Sequence, residues 1–213
     1  MRLSLVGMSL TGKSHWSKEL ELAGYRRFCC DDLIEERLDA KLVDSEGRRQ
    51  TMGEWMGLPC EPRYREREAE YLRLESDTLR RVLEEIDPLE ADLVVDTTGS
   101  VIYLEEELLR RLQEQTLVVH LETPKDAQQR LCERFFREPT PMVWRSGSVD
   151  FSQKDRESLI ASYPLLLEYR EAKYRQLSHI GLDFFERRRE GFGVGEFLDA
   201  VEERAGALGH EFG

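Results

Sequence analysis

Apolar residues fall along this chain in two kinds of pattern, short continuous runs and longer stripes at helical spacing, and the two alternate. Runs of strand type occur at Leu3–Val6, Tyr25–Cys29, Leu93–Asp96, Leu117–Leu121 and Ile180–Phe184. Amphipathic patterns occupy 13–22, 32–39, 62–86, 103–113, 124–137, 153–178 and 194–205. Strands separated by helices predict an α/β fold of three layers, with one five-stranded parallel sheet between helices. Ligands of such sheets bind beyond the carboxyl ends of the strands. Two stretches interrupt the alternation: 40–61, with Gly47, Gly53, Gly57 and Pro59, and 138–152, with Pro139, Pro141 and Gly147. We expect one domain over 1–213, with a substrate-binding helical insertion in about 31–86 and a lid in about 134–153.

Gly7-Met8-Ser9-Leu10-Thr11-Gly12-Lys13-Ser14 follows the first strand and opens the first helix. It fits the phosphate-binding pattern G-x-x-x-x-G-K-[ST] in the context that pattern requires. Glycines let backbone N–H groups turn toward phosphates, and the helix start adds partial positive charge. Lys13 reaches β- and γ-phosphates in such a loop, and the Ser14 hydroxyl ligates Mg²⁺. The fold is therefore expected to be of the P-loop NTPase type, with ATP and Mg²⁺ as cofactors.

A nucleotide cradle does not name an acceptor. Cys29-Cys30-Asp31-Asp32 closes the second strand, and Asp32 with Glu35 has the spacing of a capping box. That leaves Asp31 free to orient an attacking hydroxyl and take its proton. Leu93-Val94-Val95-Asp96 is an apolar strand ending in an acid, the Walker B arrangement, which puts Asp96 on the metal. The turn Thr98-Gly99-Ser100 offers N–H groups and hydroxyls to a ligand. In the helix over 62–86 a stripe through Ala69, Leu72, Leu79, Leu83 and Ile86 extends back to Arg65, with Glu68 in reach of its guanidinium. In the helix over 153–178, Arg170 lies on the stripe Leu159, Tyr163, Leu166, Tyr174 and Leu177. A guanidinium on a buried face either snorkels or lines a cleft, and two of them suggest a carboxylate site.

Together these residues resemble the shikimate kinase family from Gly7 to about Asp183. Glu61-Pro62-Arg63-Tyr64-Arg65-Glu66-Arg67-Glu68 is similar to that family's G-E-x-x-F-R-x-x-E segment. Tyr169-Arg170-Glu171-Ala172-Lys173-Tyr174 is similar to its R-x-x-x-Y helix. The resemblance implies that Arg65 and Arg170 grip the acceptor's carboxylate, that Asp31 binds its hydroxyls, and that Thr98, Gly99 and Ser100 meet its ring. It further implies that Arg130 packs on adenine, with Ser9, Leu10, Thr11 and His15 beside the nucleotide. Arg137 or Arg134 would then close on the phosphates.

The chain also departs from that pattern. Cys29 replaces the first aspartate of D-x-D, Thr98 and Ser100 replace glycines, and His15 replaces a threonine. The segment between Asp31 and Arg65 is longer than usual, and the lid carries Phe135, Phe136, Met142 and Trp144. The implied reaction is ATP-dependent phosphorylation of a hydroxyl on a small anionic metabolite, shikimate or a related acid. Two alternatives stand beside it: a regulatory nucleotide-binding protein derived from a kinase, and a nucleoside or nucleic-acid end kinase.

Composition narrows these choices. A net charge of -12 over 213 residues works against polynucleotide binding, which needs a basic face. With 40% apolar and 35% charged residues the chain reads as a soluble globular protein. It shows no signal-peptide pattern and no apolar run of membrane-spanning length. Cys29, Cys30, Cys60 and Cys132 lack metal-ligand spacing and read as reduced thiols. A cytoplasmic monomer with no membrane or nucleic-acid partner is expected.

Overall fold

The computed structural model describes residues 1–125, 127, 128, 131, 135, 137, 140–145 and 155–209. Its strands are β1 (Arg2–Val6), β2 (Arg26–Cys29), β3 (Leu93–Asp96), β4 (Leu117–Leu121) and β5 (Ile180–Leu182). The helices are α1 (Lys13–Leu22), α2 (Cys30–Leu38), α3 (Met52–Met56), α4 (Tyr64–Ile86), α5 (Glu106–Gln115), α6 (Arg156–Leu177) and α7 (Val194–Ala207). The sheet is parallel throughout, in the order β2-β3-β1-β4-β5.

Helices cover both faces, which is why every residue of β3 and β4 is buried and neither strand alternates. One apolar cluster joins the sheet to α2, α4, α5 and α6, and a second joins it to α1 and α7. Register aligns Asp96 with both Leu5 and Cys29, and Val6 with His120. These strand ends converge on the loop after β1. Among the described residues no helix is long and apolar enough to cross a membrane.

Three local expectations are corrected. The capping box is not at Asp32: α2 begins at Cys30 with Cys29 as a cap that makes no side-chain capping bond, and Asp32 accepts from Arg27 at 3.4 Å. It forms instead at Thr51 and Glu54, where it starts the unanticipated α3 inside the interruption at 40–61. The buried stripe of α4 passes through Tyr64, Glu68, Leu72, Glu75, Leu79 and Leu83, while Ala69 and Arg65 are exposed. Counting only apolar residues stepped from Leu72 to Ala69, and the true step of four lands on a buried acid, Glu68. Within the expected lid, Phe135, Met142 and Trp144 are buried, and the Phe135 and Trp144 rings lie 5.2 and 5.5 Å from that of Tyr163. Phe136, with 146–153, lies outside the described residues.

Candidate active site

The loop from Gly7 to Ser14 is wound as a phosphate cradle requires. Gly7 and Gly12 have φ of 147° and 105°, and Leu10 also takes the left-handed region at 68°. A side chain at Gly7 would press on the Leu121 carbonyl at 3.0 Å, so only glycine lets β1 turn this close to β4. Thr11 is buried and donates to the Met8 carbonyl at 2.9 Å, bracing the turn from within. Lys13 opens α1 with its Nζ curled back on the carbonyls of Gly7 and Met8, at 3.0 Å each. Burial lowers its pKa, against the pull of Asp96 and Asp31. Ser14 and His15 are exposed at the helix start, and Ser9 faces Gly99.

A second clamp holds this loop, and sequence reasoning missed it. Arg187, in the turn after β5, is buried and donates to the carbonyls of Leu182, Thr11 and Glu122 at 3.2, 3.1 and 2.9 Å. Burial, followed by its neighbour Arg188, pulls its pKa down to about 10. Arg188 adds a bond to Thr11 and lies over the Phe184 ring at 3.7 Å. No spacing in the sequence ties a loop near residue 187 to Thr11; only closure of the sheet brings them together.

Asp96 sits at the end of β3, 1% exposed. Its Oδ2 accepts from Ser17 at 2.9 Å, has Cys29 Sγ at 3.8 Å and pairs with Arg27 at 3.6 Å. Its Oδ1 is buried without a hydrogen-bond partner. An unsatisfied carboxylate oxygen at depth is costly and fits a cation or its water shell. With Ser14 at the head of α1, the donor set is hard oxygen, which suits Mg²⁺. Cys29 stands in register beside Asp96, and burial pushes its thiol up to about 12. A neutral thiol of that kind is no substitute for a carboxylate toward Mg²⁺.

Asp31, in the first turn of α2, is half-buried and accepts from the Tyr71 hydroxyl at 3.3 Å. Loss of water pushes its carboxyl up to about 6; Lys13 opposes the rise and Asp96 adds to it. A carboxyl in that range is ionised at neutral pH yet basic enough to take a proton. A second acid, Glu75 of α4, was not foreseen. It is 2% exposed, and burial pushes it up to about 7 even though Thr98 and Ser100 both donate to it. The two hydroxyls that replace glycines therefore point at a buried carboxylate.

Arg170 is buried at 1%, as its place on the stripe of α6 required. Its Nε donates to Tyr174 at 3.2 Å, one Nη to the Gly99 carbonyl, and the other touches the Met142 sulfur. Thioether sulfur is a weak acceptor, so that Nη is the part of the guanidinium least satisfied by protein. Gly99 is where the two halves of the site meet. A Cβ there would stand 3.2 Å from Arg170 Nη2 and 3.2 Å from Ser9 Oγ of the phosphate loop.

Arg65 does not join this group. It is exposed on the first turn of α4, in a cleft with Pro59, Tyr64, Glu68, Trp144 and Arg145. Glu68 does not hold it; that acid takes Tyr64, the Trp144 amide and Arg145 at 2.7, 3.1 and 3.1 Å. Arg137 is exposed on a turn, and Arg130 and Arg134 lie outside the described residues.

Solved structures of similar shape decide what fold this is. The shikimate kinase of Acinetobacter baumannii, solved in complex with shikimate, matches at a TM-score of 0.63 and 20% identity, over 96% of this chain and 93% of that one. The fold is that of the shikimate kinases. The enzyme of Bacteroides thetaiotaomicron matches at 0.60 and 19% identity, over 99% of both chains. That of Aquifex aeolicus matches at 0.58 and 18% identity, over 99% of this chain and 100% of the other. No protein-family model matches the sequence, and no curated protein does. The shikimate kinase fold is thus carried over nearly the whole length by a strongly diverged sequence.

Proposed function

We propose that this chain is an ATP-dependent phosphotransferase that moves the γ-phosphoryl group onto a hydroxyl of a small hydroxylated acid, shikimate or a related compound. It would work as a cytoplasmic monomer. One observation carries the reading: the phosphate loop and a buried guanidinium approach each other across Gly99, with Ser9 on one side and Arg170 on the other. A carboxylate anchored on Arg170 would lie beside the bound triphosphate, with Asp31 near Lys13.

The backbone N–H groups of Gly7–Ser14 would receive the phosphates, and Lys13 would leave its two carbonyls for the β- and γ-oxygens. Ser14 and Asp96 would hold Mg²⁺, which neutralises charge on the phosphate oxygens when bound. Asp31 would align the attacking hydroxyl and accept its proton, while Arg170 fixes the acid so that one hydroxyl points in line. Arg65 would meet an acceptor only at the mouth, beside Arg145. His15, Leu10, Thr11 and Arg130 keep their proposed places around the nucleotide, and Arg137 or Arg134 that of a lid cation. Segment 31–86 would supply most acceptor contacts and 134–153 the cover.

Phosphorus NMR of ATP with each of a panel of hydroxy acids tests this. A new phosphomonoester resonance is expected with wild type and not with Lys13→Ala. Nucleotide binding with no phosphomonoester across the panel would favour a regulatory nucleotide-binding protein, the reading to which Cys29 beside Asp96 lends weight.

A further inference from the structure

We infer that Glu75 is a specificity-determining residue, which turns Thr98 and Ser100 into pure hydrogen-bond acceptors and so selects acceptor molecules that bring their own donors. The inference rests on the kinase reading for where the acceptor molecule lies.

A hydroxyl has one proton and two lone pairs. Thr98 gives its proton to one oxygen of Glu75, and Ser100 gives its proton to the other at 2.7 Å. All three side chains are at most 3% exposed, so water does not compete for these bonds. What remains on both hydroxyls is lone pairs, one of them on Thr98 meeting the Ser100 N–H at 3.2 Å. Between them stands Gly99, whose carbonyl takes Arg170 and whose Cα faces Ser9.

The floor beside the phosphate loop thus has two unlike poles one residue apart. Arg170 donates and favours a carboxylate. Above pH about 7, where Glu75 is ionised, the Thr98–Ser100 pair that it pins can only accept, and disfavours a carboxylate or carbonyl in the same place. A small acid bearing hydroxyl or ammonium groups away from its carboxylate satisfies both poles. An acid without such donors leaves the second pole unpaired.

Binding calorimetry at about pH 8.5, where Glu75 is ionised, on the whole chain loaded with a non-hydrolysable ATP analogue and Mg²⁺, tests this with two pairs of probes. Shikimate is compared with cyclohex-1-ene-carboxylate, and gluconate with hexanoate. Wild type is expected to prefer at least one hydroxylated member ~10-fold over its partner. Glu75→Gln keeps the shape but turns an amide donor on one hydroxyl, whose proton must then face the acceptor molecule; the preference should fall to twofold or less, with analogue affinity unchanged. Ser100→Ala, which removes one of the two accepting oxygens, should move the preference the same way and covers the case of a poorly folding Glu75→Gln. Absence of any preference in wild type, or an undiminished preference in the variants, overturns the inference. ADP release over the same panel is read separately. Preference lost in Glu75→Gln without turnover in wild type keeps the inference and removes the kinase.

Discussion

The sulfur of Cys29 lies 3.8 Å from Oδ2 of Asp96, at the carboxyl ends of two strands paired in register. Only one of these neighbours can serve a hard cation, and its free oxygen is buried without a partner. Asp96→Asn should therefore cut phosphoryl transfer ~100-fold or more and raise the Mg²⁺ concentration needed for half-maximal rate. Cys29→Ser, which keeps a neutral group, should stay within about threefold of wild type. Magnesium titrations of ADP release in the two variants check both.

In the proposed reaction Asp31 links activity to stability with opposite signs. Its carboxyl titrates near 6 in the folded chain, against 3.8 in an ordinary aspartate. Acceptor turnover should rise with pH through about 6 and be lost in Asp31→Asn. The folded state holds the extra proton between those two values, so stability falls as pH rises from about 4 to 6 and stays lower above. Asn removes that penalty. Asp31→Asn should be more stable than wild type by up to about 3 kcal/mol at pH 7–8, with the difference gone near pH 4. Urea unfolding at the two pH values decides it.

Gly99→Ala should weaken acceptor use. The added methyl meets Arg170 Nη2 and Ser9 Oγ at 3.2 Å each, tighter than ordinary contact, and Arg170 is buried and tied to the Gly99 carbonyl. An acceptor KM raised ~10-fold or more is expected, together with about 1–3 kcal/mol lost in stability. Steady-state kinetics with saturating ATP and a thermal melt measure the two effects.

Arg187→Met should loosen the nucleotide cradle from behind. It takes a donor from three carbonyls, leaving Thr11 only the longer bond from Arg188 and Leu182 only the Glu122 N–H. About 2–5 kcal/mol of stability should go, and ATP affinity should fall while acceptor preference holds. Fluorescent-nucleotide titration at a temperature where the variant is folded reads the affinity directly.

Much of this could be read from the chain itself. Gly7–Ser14 declares itself because a loop with Gly7 and Gly12 at positive φ demands those residues at fixed spacing. Arg170 was legible because a charge midway along an apolar stripe has nowhere else to go. Arg65 misled because α4 buries acids: Glu68 and Glu75 occupy core positions that an apolar pattern skips, and one skipped position rotates the predicted face. Glu75 itself left no signal in one dimension. Its partners, Thr98 and Ser100, lie on another element, and a buried acid looks like a surface one until its hydroxyls are placed. Arg187 was hidden for the same reason, since its carbonyl partners are spread over the end of β5, the loop after β1 and the turn after β4.

The anchoring of the acceptor on Arg170 is the claim on which the proposed chemistry turns, and acceptor kinetics of Arg170→Lys probe it most directly. Lysine keeps the charge and loses the planar fork. A coupled ADP assay should give an acceptor KM at least ~10-fold above wild type with the KM for ATP unchanged. An acceptor KM equal to that of wild type would contradict a carboxylate held by this guanidinium.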